Sequence, residues 1–150
     1  MLILCQIKEK EFDLKTKKVL IAERDSGHTE LLIEELNVID TKMEIILKKD
    51  GREFMDYFQQ SDNDINVEIE LQIDLIILDL NLPEIHGMEV LRYLKNNTRY
   101  RSIPVIIFSN TTDAKIISEA YKNGANGFIK MPASFKEFKE NIKKLKYLLG

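Results

Sequence analysis

Short apolar runs that each end in a polar cluster recur along the chain, separated by stretches of helical spacing. This rhythm constrains the fold more than any other feature. Val19–Ala22, Met43–Leu47, Asp74–Asp79, Pro104–Phe108 and Gly127–Ile129 are the runs, and Leu75-Ile76-Ile77-Leu78 is the most apolar of them. Four or five consecutive apolar residues suit a strand buried on both faces, as a parallel sheet requires. Between them, Leu31, Leu32, Leu36 and Ile39 have amphipathic helical spacing. So do Phe54 to Phe58, then Met88, Leu91 and Leu94, then Ile116, Ile117, Ala120 and Tyr121. Asp25 or Ser26 is the expected cap of the first helix, and Asn96-Asn97 and Asn123-Gly124 end the third and fourth. Ser134 to Glu137 form a capping box that opens a last helix carrying Phe138, Ile142, Leu145 and Leu149. Five β-α units predict an α/β fold: one doubly wound, five-stranded parallel sheet with right-handed crossovers and helices on both faces.

Two segments stand outside this rhythm. Residues 1–17 read as a charged N-terminal extension, an extra edge strand or a loose arm, before a domain over 18–150. Residues 61–72 read as an acidic insertion in which Val67, Ile69 and Leu71 alternate. A chain of 150 residues has room for one domain, which excludes a two-domain enzyme or an appended DNA-binding domain. Net charge is −3, so no basic excess points to nucleic acid or an anionic membrane. No apolar run approaches the ~20 residues of a membrane span, and the apolar start is too short for a secretory signal. A cytoplasmic protein is expected. The lone Cys5 excludes an internal disulfide and a multi-cysteine metal site.

In such a sheet, ligands meet the carboxyl ends of the strands. There the sequence offers Glu23-Arg24-Asp25, Asp79-Leu80-Asn81, Ser109-Asn110 and Lys130-Met131. Each could simply cap or turn a loop. Asp79, however, closes four apolar residues, where a charge needs a partner. Glu23 to His28 hold one glycine and two acids, unlike a phosphate-binding loop. No G-x-S-x-G elbow is present. His28 and His86 lack a partner at metal spacing and read as surface residues.

At these residues the sequence resembles the receiver domain of two-component response regulators. Lys18 to Glu23, Asp79-Leu80-Asn81-Leu82-Pro83-Glu84-Ile85-His86-Gly87, Ile103 to Ser109 and Gly124 to Ile129 carry the likeness. It is closest to small receivers of the phytochrome-associated type. The resemblance implies a flavodoxin-like strand order 2-1-3-4-5. It implies a signalling role: Asp79 takes a phosphoryl group from a histidine kinase or phosphotransfer protein, and a downstream protein reads the result. Beyond transfer to and from its own aspartate, no enzyme activity is implied. Mg²⁺ would be held by Glu23, Asp25, Asp79 and the Asn81 carbonyl. Ser109 and Lys130 would contact the phosphoryl group, and Ser109 and Phe128 would relay the change.

Two positions depart from the family pattern. Arg24 stands where the second acid, the direct metal ligand, belongs. Met131 stands where the lysine belongs, with Lys130 one residue early and pointing to the opposite face unless the strand end bulges. These departures point to an alternative, a pseudo-receiver acting as a phosphorylation-independent interaction module, with an Arg24–Asp79 ion pair where the metal would lie. The last helix runs to Gly150, so output is expected through contact with another protein. The lysines of that helix read as a solvated face or else as a docking or homodimer surface. Arg99-Tyr100-Arg101 is a further candidate contact.

Overall fold

The computed structural model describes residues 16–63, 72–131 and 134–149. The expected strand in residues 1–17 and the alternation at Val67, Ile69 and Leu71 lie outside them. Five strands, β1 (Lys18–Ala22), β2 (Glu44–Lys48), β3 (Leu75–Asp79), β4 (Val105–Ser109) and β5 (Gly127–Lys130), form one sheet. Its order is β2-β1-β3-β4-β5, all parallel, the doubly wound flavodoxin-like order. The helices are α1 (Ser26–Ile39), α2 (Gly51–Asn63), α3 (Gly87–Asn96), α4 (Ala114–Lys122), α5 (Phe135–Lys143) and a short α6 (Lys146–Leu149).

Strand alternation builds two cores. Val19, Ile21, Leu75, Ile77, Ile106, Phe108 and Ile129 face Leu32 and Leu36 of α1 and Phe138 and Ile142 of α5. Leu20, Ala22, Ile76, Leu78, Val105 and Ile107 face α2, α3 and α4 through Phe54, Phe58, Leu91, Leu94 and Ala120. Every residue of β3 and β4 is buried, as continuous apolar runs covered on both sides require.

Three sequence expectations change. The second helix is thirteen residues long and takes in 61–63, which the sequence placed in the insertion. The last helix is interrupted at Lys144, so α6 is a separate turn. Tyr100 is no surface contact: it is buried, its hydroxyl donates to the Phe58 carbonyl at 3.2 Å, and its ring packs edge-on against Phe58. A large ring with one satisfied polar atom gains more from burial than from exposure.

The end of the sheet away from the strand C-termini is pinned by Lys95. Its Nζ donates to the carbonyls of Arg101 (3.1 Å) and Ile103 (2.8 Å) and to Asn126 Oδ1 (3.0 Å). Asn126 Oδ1 also accepts the Val105 amide at 2.9 Å. Burial alone holds the Lys95 ammonium pKa below its usual value. Nearby, Gly124 closes α4 at φ +100°, a left-handed conformation suited to glycine.

At the other end, Gly87 opens α3 against the last residue of β3. Its amide donates to the Leu80 carbonyl at 2.9 Å, and a Cβ there would collide with the Asp79 carbonyl oxygen. The neighbour is backbone and cannot yield cheaply. Gly87→Ala is therefore expected to destabilise the fold by about 1–3 kcal/mol. A urea unfolding midpoint unchanged from the wild type would contradict this close approach.

Candidate functional site

The register of β1 on β3 pairs Ala22 with Leu78, so the next residues, Glu23 and Asp79, leave the sheet side by side. Both are buried, at 6% and 8% exposure, and so is Ser109 at 3%. They line an open hollow of about 130 Å³ with Arg24, Asp25, His28, Asn81, Phe108, Asn110 and Met131. The hollow lies at the carboxyl ends of β1, β3 and β4, where the strand order reverses.

The buried carboxyls and the hydroxyl there each accept a backbone amide. Asp79 Oδ1 accepts the Asn81 amide at 3.0 Å, which fixes the loop after β3. Ser109 Oγ accepts the Thr111 amide at 3.2 Å. Glu23 Oε1 accepts the Asp25 amide at 3.1 Å. Asp25 caps α1: its Oδ1 accepts the His28 amide at 3.1 Å, which holds its carboxyl below the usual range. His28 Nδ1 lies 3.6 Å from Glu23 Oε1, and its ring meets Phe108 edge-on at 6.0 Å.

Glu23 differs from the rest. Its pKa is raised to about 7, first by burial and then by the neighbouring Asp79 charge.

The structure places most of the sequence's candidates together. Glu23, Asp25, Asp79, Asn81 and Ser109 all line the hollow, and Lys130 does not. β5 pairs with β4 in unbroken register up to Ser109 opposite Lys130, so no bulge turns the lysine inward. Lys130 is exposed, while Met131 continues the side of Ile129 and packs on the α1–α5 core. Phe128 sits opposite Ile107 on the other face, half-buried against the α2–α4 core and outside the hollow. The expected Arg24–Asp79 ion pair does not form: Arg24 lines the hollow, but its side chain is exposed and makes no salt bridge with Asp79. An exposed guanidinium gains little from a fixed pairing it must desolvate to make. His28 corrects the sequence reading too, since it is part of the lining. Its place three residues after Asp25, on the first turn of a helix leaving the sheet's carboxyl edge, was the available signal. His86 caps α3, its Nδ1 accepting the Met88 amide at 3.2 Å.

This donor set does not fit a divalent cation. Mg²⁺ needs near-octahedral oxygens, with at least one or two carboxylates free to ligate. Asp25 Oδ1 is committed to a helix cap, Glu23 Oε1 and Asp79 Oδ1 each accept a loop amide, and Arg24 brings a positive charge to the rim. Among the described residues, no three His, Cys, Asp or Glu side chains are grouped to hold a metal. No helix among them is long and apolar enough to cross a membrane.

A family model described as response regulator receiver domain matches residues 19–143. The chain is 28% identical over 133 residues to the probable methanogenesis regulatory protein FilR2 of Methanothrix harundinacea (strain 6Ac), covering 88% of this chain and 83% of that protein. It resembles the crystal structure of the phosphorylated cyanobacterial phytochrome response regulator RcpA, with a TM-score of 0.78 and 28% identity. That match covers 89% of this chain and 94% of the other. It also resembles the Mn(2+)-bound form of response regulator Rcp1, with a TM-score of 0.75 and 26% identity over 87% of this chain and 91% of that one.

The carboxyl pair has a pH signature. Glu23 binds its proton more tightly folded than unfolded, so its contribution is fully present below about pH 4.5 and is lost as pH rises through about 7. Glu23→Gln keeps a hydrogen-bond donor without the ionisation. Its urea midpoint is expected to gain on that of the wild type between pH 4.5 and 7. Parallel pH profiles for the two proteins would remove the case for a buried Glu23 of raised pKa.

Proposed function

Because the chain belongs to the response regulator receiver domain family, we propose that it relays a two-component signal by contact with other proteins, without Mg²⁺-dependent phosphorylation at Asp79. The receiver unit is taken as residues 18–150, preceded by an extension over 1–17. Its input partner is a sensor histidine kinase or phosphotransfer protein, and its output partner is a downstream protein. The observation that carries this reading is the composition of the hollow. Arg24 and Met131 line it where the family resemblance puts a ligand acid and a lysine.

The chemistry explains why these residues matter. When a carboxylate oxygen attacks the phosphorus of a phosphohistidine, the P–N bond breaks, imidazole leaves and an acyl phosphate forms. Charge collects on three equatorial oxygens and calls for cations. An ordinary receiver meets that charge with a metal ion and a lysine. Here the lysine position holds an apolar thioether. The cation of the lining is Arg24, at the rim.

A second reading, phosphoryl acceptance at Asp79, draws on a specific observation. The Asp79 carboxyl and the Ser109 hydroxyl share one hollow open to solvent, as nucleophile and phosphoryl contact must. In that reading Ser109 bonds the phosphoryl oxygens. Phe128, on a neighbouring strand, then passes the shift to the face formed by α4, β5 and α5.

A phosphate-affinity gel separates the two. Incubation with acetyl phosphate is expected to leave the wild-type band unshifted whether or not Mg²⁺ is present. The double variant Arg24→Asp with Met131→Lys is expected to gain a Mg²⁺-dependent shifted band that adding Asp79→Asn abolishes. A shifted wild-type band that needs Mg²⁺ and Asp79 establishes the acceptor reading instead.

A further inference from the structure

We infer that β2 is the pairing edge of a symmetric homodimer, in which two copies of this chain join β2 to β2 in antiparallel register about Ile46. The inference goes beyond the proposed function and does not rest on the Asp79 hollow. β2 is an edge of the sheet, and among the described residues only β1 pairs with it. Its inner side is used: the Glu44 amide donates to the Lys17 carbonyl at 2.8 Å, and the Lys48 carbonyl accepts the Glu23 amide at 3.0 Å. Glu44, Ile46 and Lys48 therefore turn their backbone groups inward to β1, and Ile45 and Leu47 turn theirs to the open edge. Such an edge takes a further strand through main-chain hydrogen bonds. Ile45 and Ile46 pack on the two cores, whereas Leu47 joins neither and is 43% exposed.

The residues of the strand select a second copy as its occupant. Glu44-Ile45-Ile46-Leu47-Lys48 carries opposite charges at equal distances from its centre, with apolar residues between. Turned about a two-fold axis at Ile46, Glu44 meets the partner's Lys48 and Ile45 meets the partner's Leu47. The same contacts repeat in reverse, as an isologous interface requires. Ile45 and Leu47 are the residues with outward backbone groups, so they make the hydrogen-bonded pairs and Leu47 is covered. Glu44 and the partner's Lys48 then fall at non-hydrogen-bonded positions, where side chains approach more closely. By alternation both charged residues share the face of Ile46, on the α2 side. There Lys48 Nζ lies over the Tyr57 ring at 4.8 Å and Glu44 reaches Lys18 at 3.8 Å. A slip of two residues one way sets Lys48 against the partner's Lys42, and a slip the other way sets Glu44 against the partner's Asp50. Both slips oppose like charges, so the charges that guard this edge admit one register. β5, the opposite edge, stays free in each copy.

Sedimentation equilibrium of the full chain at rising concentration tests this, with amide spectra to show that each variant is folded. The wild type is expected to form a reversible dimer. Glu44→Lys and Lys48→Glu each put two like-charge pairs on the seam and are expected to weaken the dimer at least about fivefold. The double variant restores opposite pairs and is expected to associate within about twofold of the wild type. Cysteine pairing reads the register, in a Cys5→Ser background that removes the chain's one cysteine. A mixture of Glu44→Cys and Lys48→Cys is expected to cross-link on oxidation. Each alone is expected to stay uncross-linked, because like positions lie four residues apart along the seam, roughly 13 Å, too far for a disulfide. A chain monomeric at millimolar concentration, its edge taken by another segment or by solvent alone, overturns the inference. So does a dimer that tolerates both single charge reversals, or a cysteine mixture that cross-links no better than either variant by itself.

Discussion

The pairing of β1 with β3 is the constraint on which this molecule's chemistry depends. Once Ala22 lies opposite Leu78, Glu23 and Asp79 must emerge as neighbours at a strand spacing of about 4.8 Å. Two carboxylates that close, both buried, cannot both stay charged and unpartnered. Something positive must stand between them, and a metal ion and a proton are the two candidates. The strands fix that requirement, and the loop residues Arg24 and Asp25 decide how it is met. The same crowding of buried acids raises the Glu23 pKa to about 7.

The alternation of the sheet makes a second decision, at β5. Ile129 faces the α1–α5 core, so Lys130 must face the other way and Met131 must return to the side of the hollow. A cation and an apolar side chain have in effect exchanged places relative to the family pattern. Met131 packs against the α1–α5 core beside the hollow, which lowers the local dielectric and strengthens whatever charge imbalance remains. The same side thus presents an apolar thioether to the hollow. The departures at Arg24 and Met131 act in the same direction.

Much of this was legible in the chain. The strand positions follow from apolar runs buried on both faces, and the order of the sheet from the resemblance. The cap at Asp25 and the stops at Asn96 and Asn123-Gly124 follow from residues whose backbone preferences are local. The exclusion of Lys130 followed from alternation once the strand was placed. What could not be read are matters of three-dimensional company. Arg24 was expected to pair with Asp79, but sequence adjacency says nothing about which way an exposed side chain points. His28 looked like a surface residue because its neighbours across the sheet, Glu23 and Phe108, are brought to it only by folding. Tyr100 lay between two arginines and read as surface, while its ring was needed to fill the space against Phe58. The Glu23–Asp79 juxtaposition joins residues more than fifty apart and is visible only when β1 and β3 are aligned.

The three-acceptor grip of Lys95 has a mechanical corollary. It ties the entry to β4, the approach from α3 and the turn before β5 into one unit. Fastened at that end, β4 and β5 can yield only at their opposite tips, where Ser109 and Met131 lie. A disturbance at the tips then swings about a fixed fulcrum, so its amplitude grows toward the mouth and fades toward Lys95. The Lys95 grip thereby directs any give toward the rim where Ser109 and Met131 line the hollow.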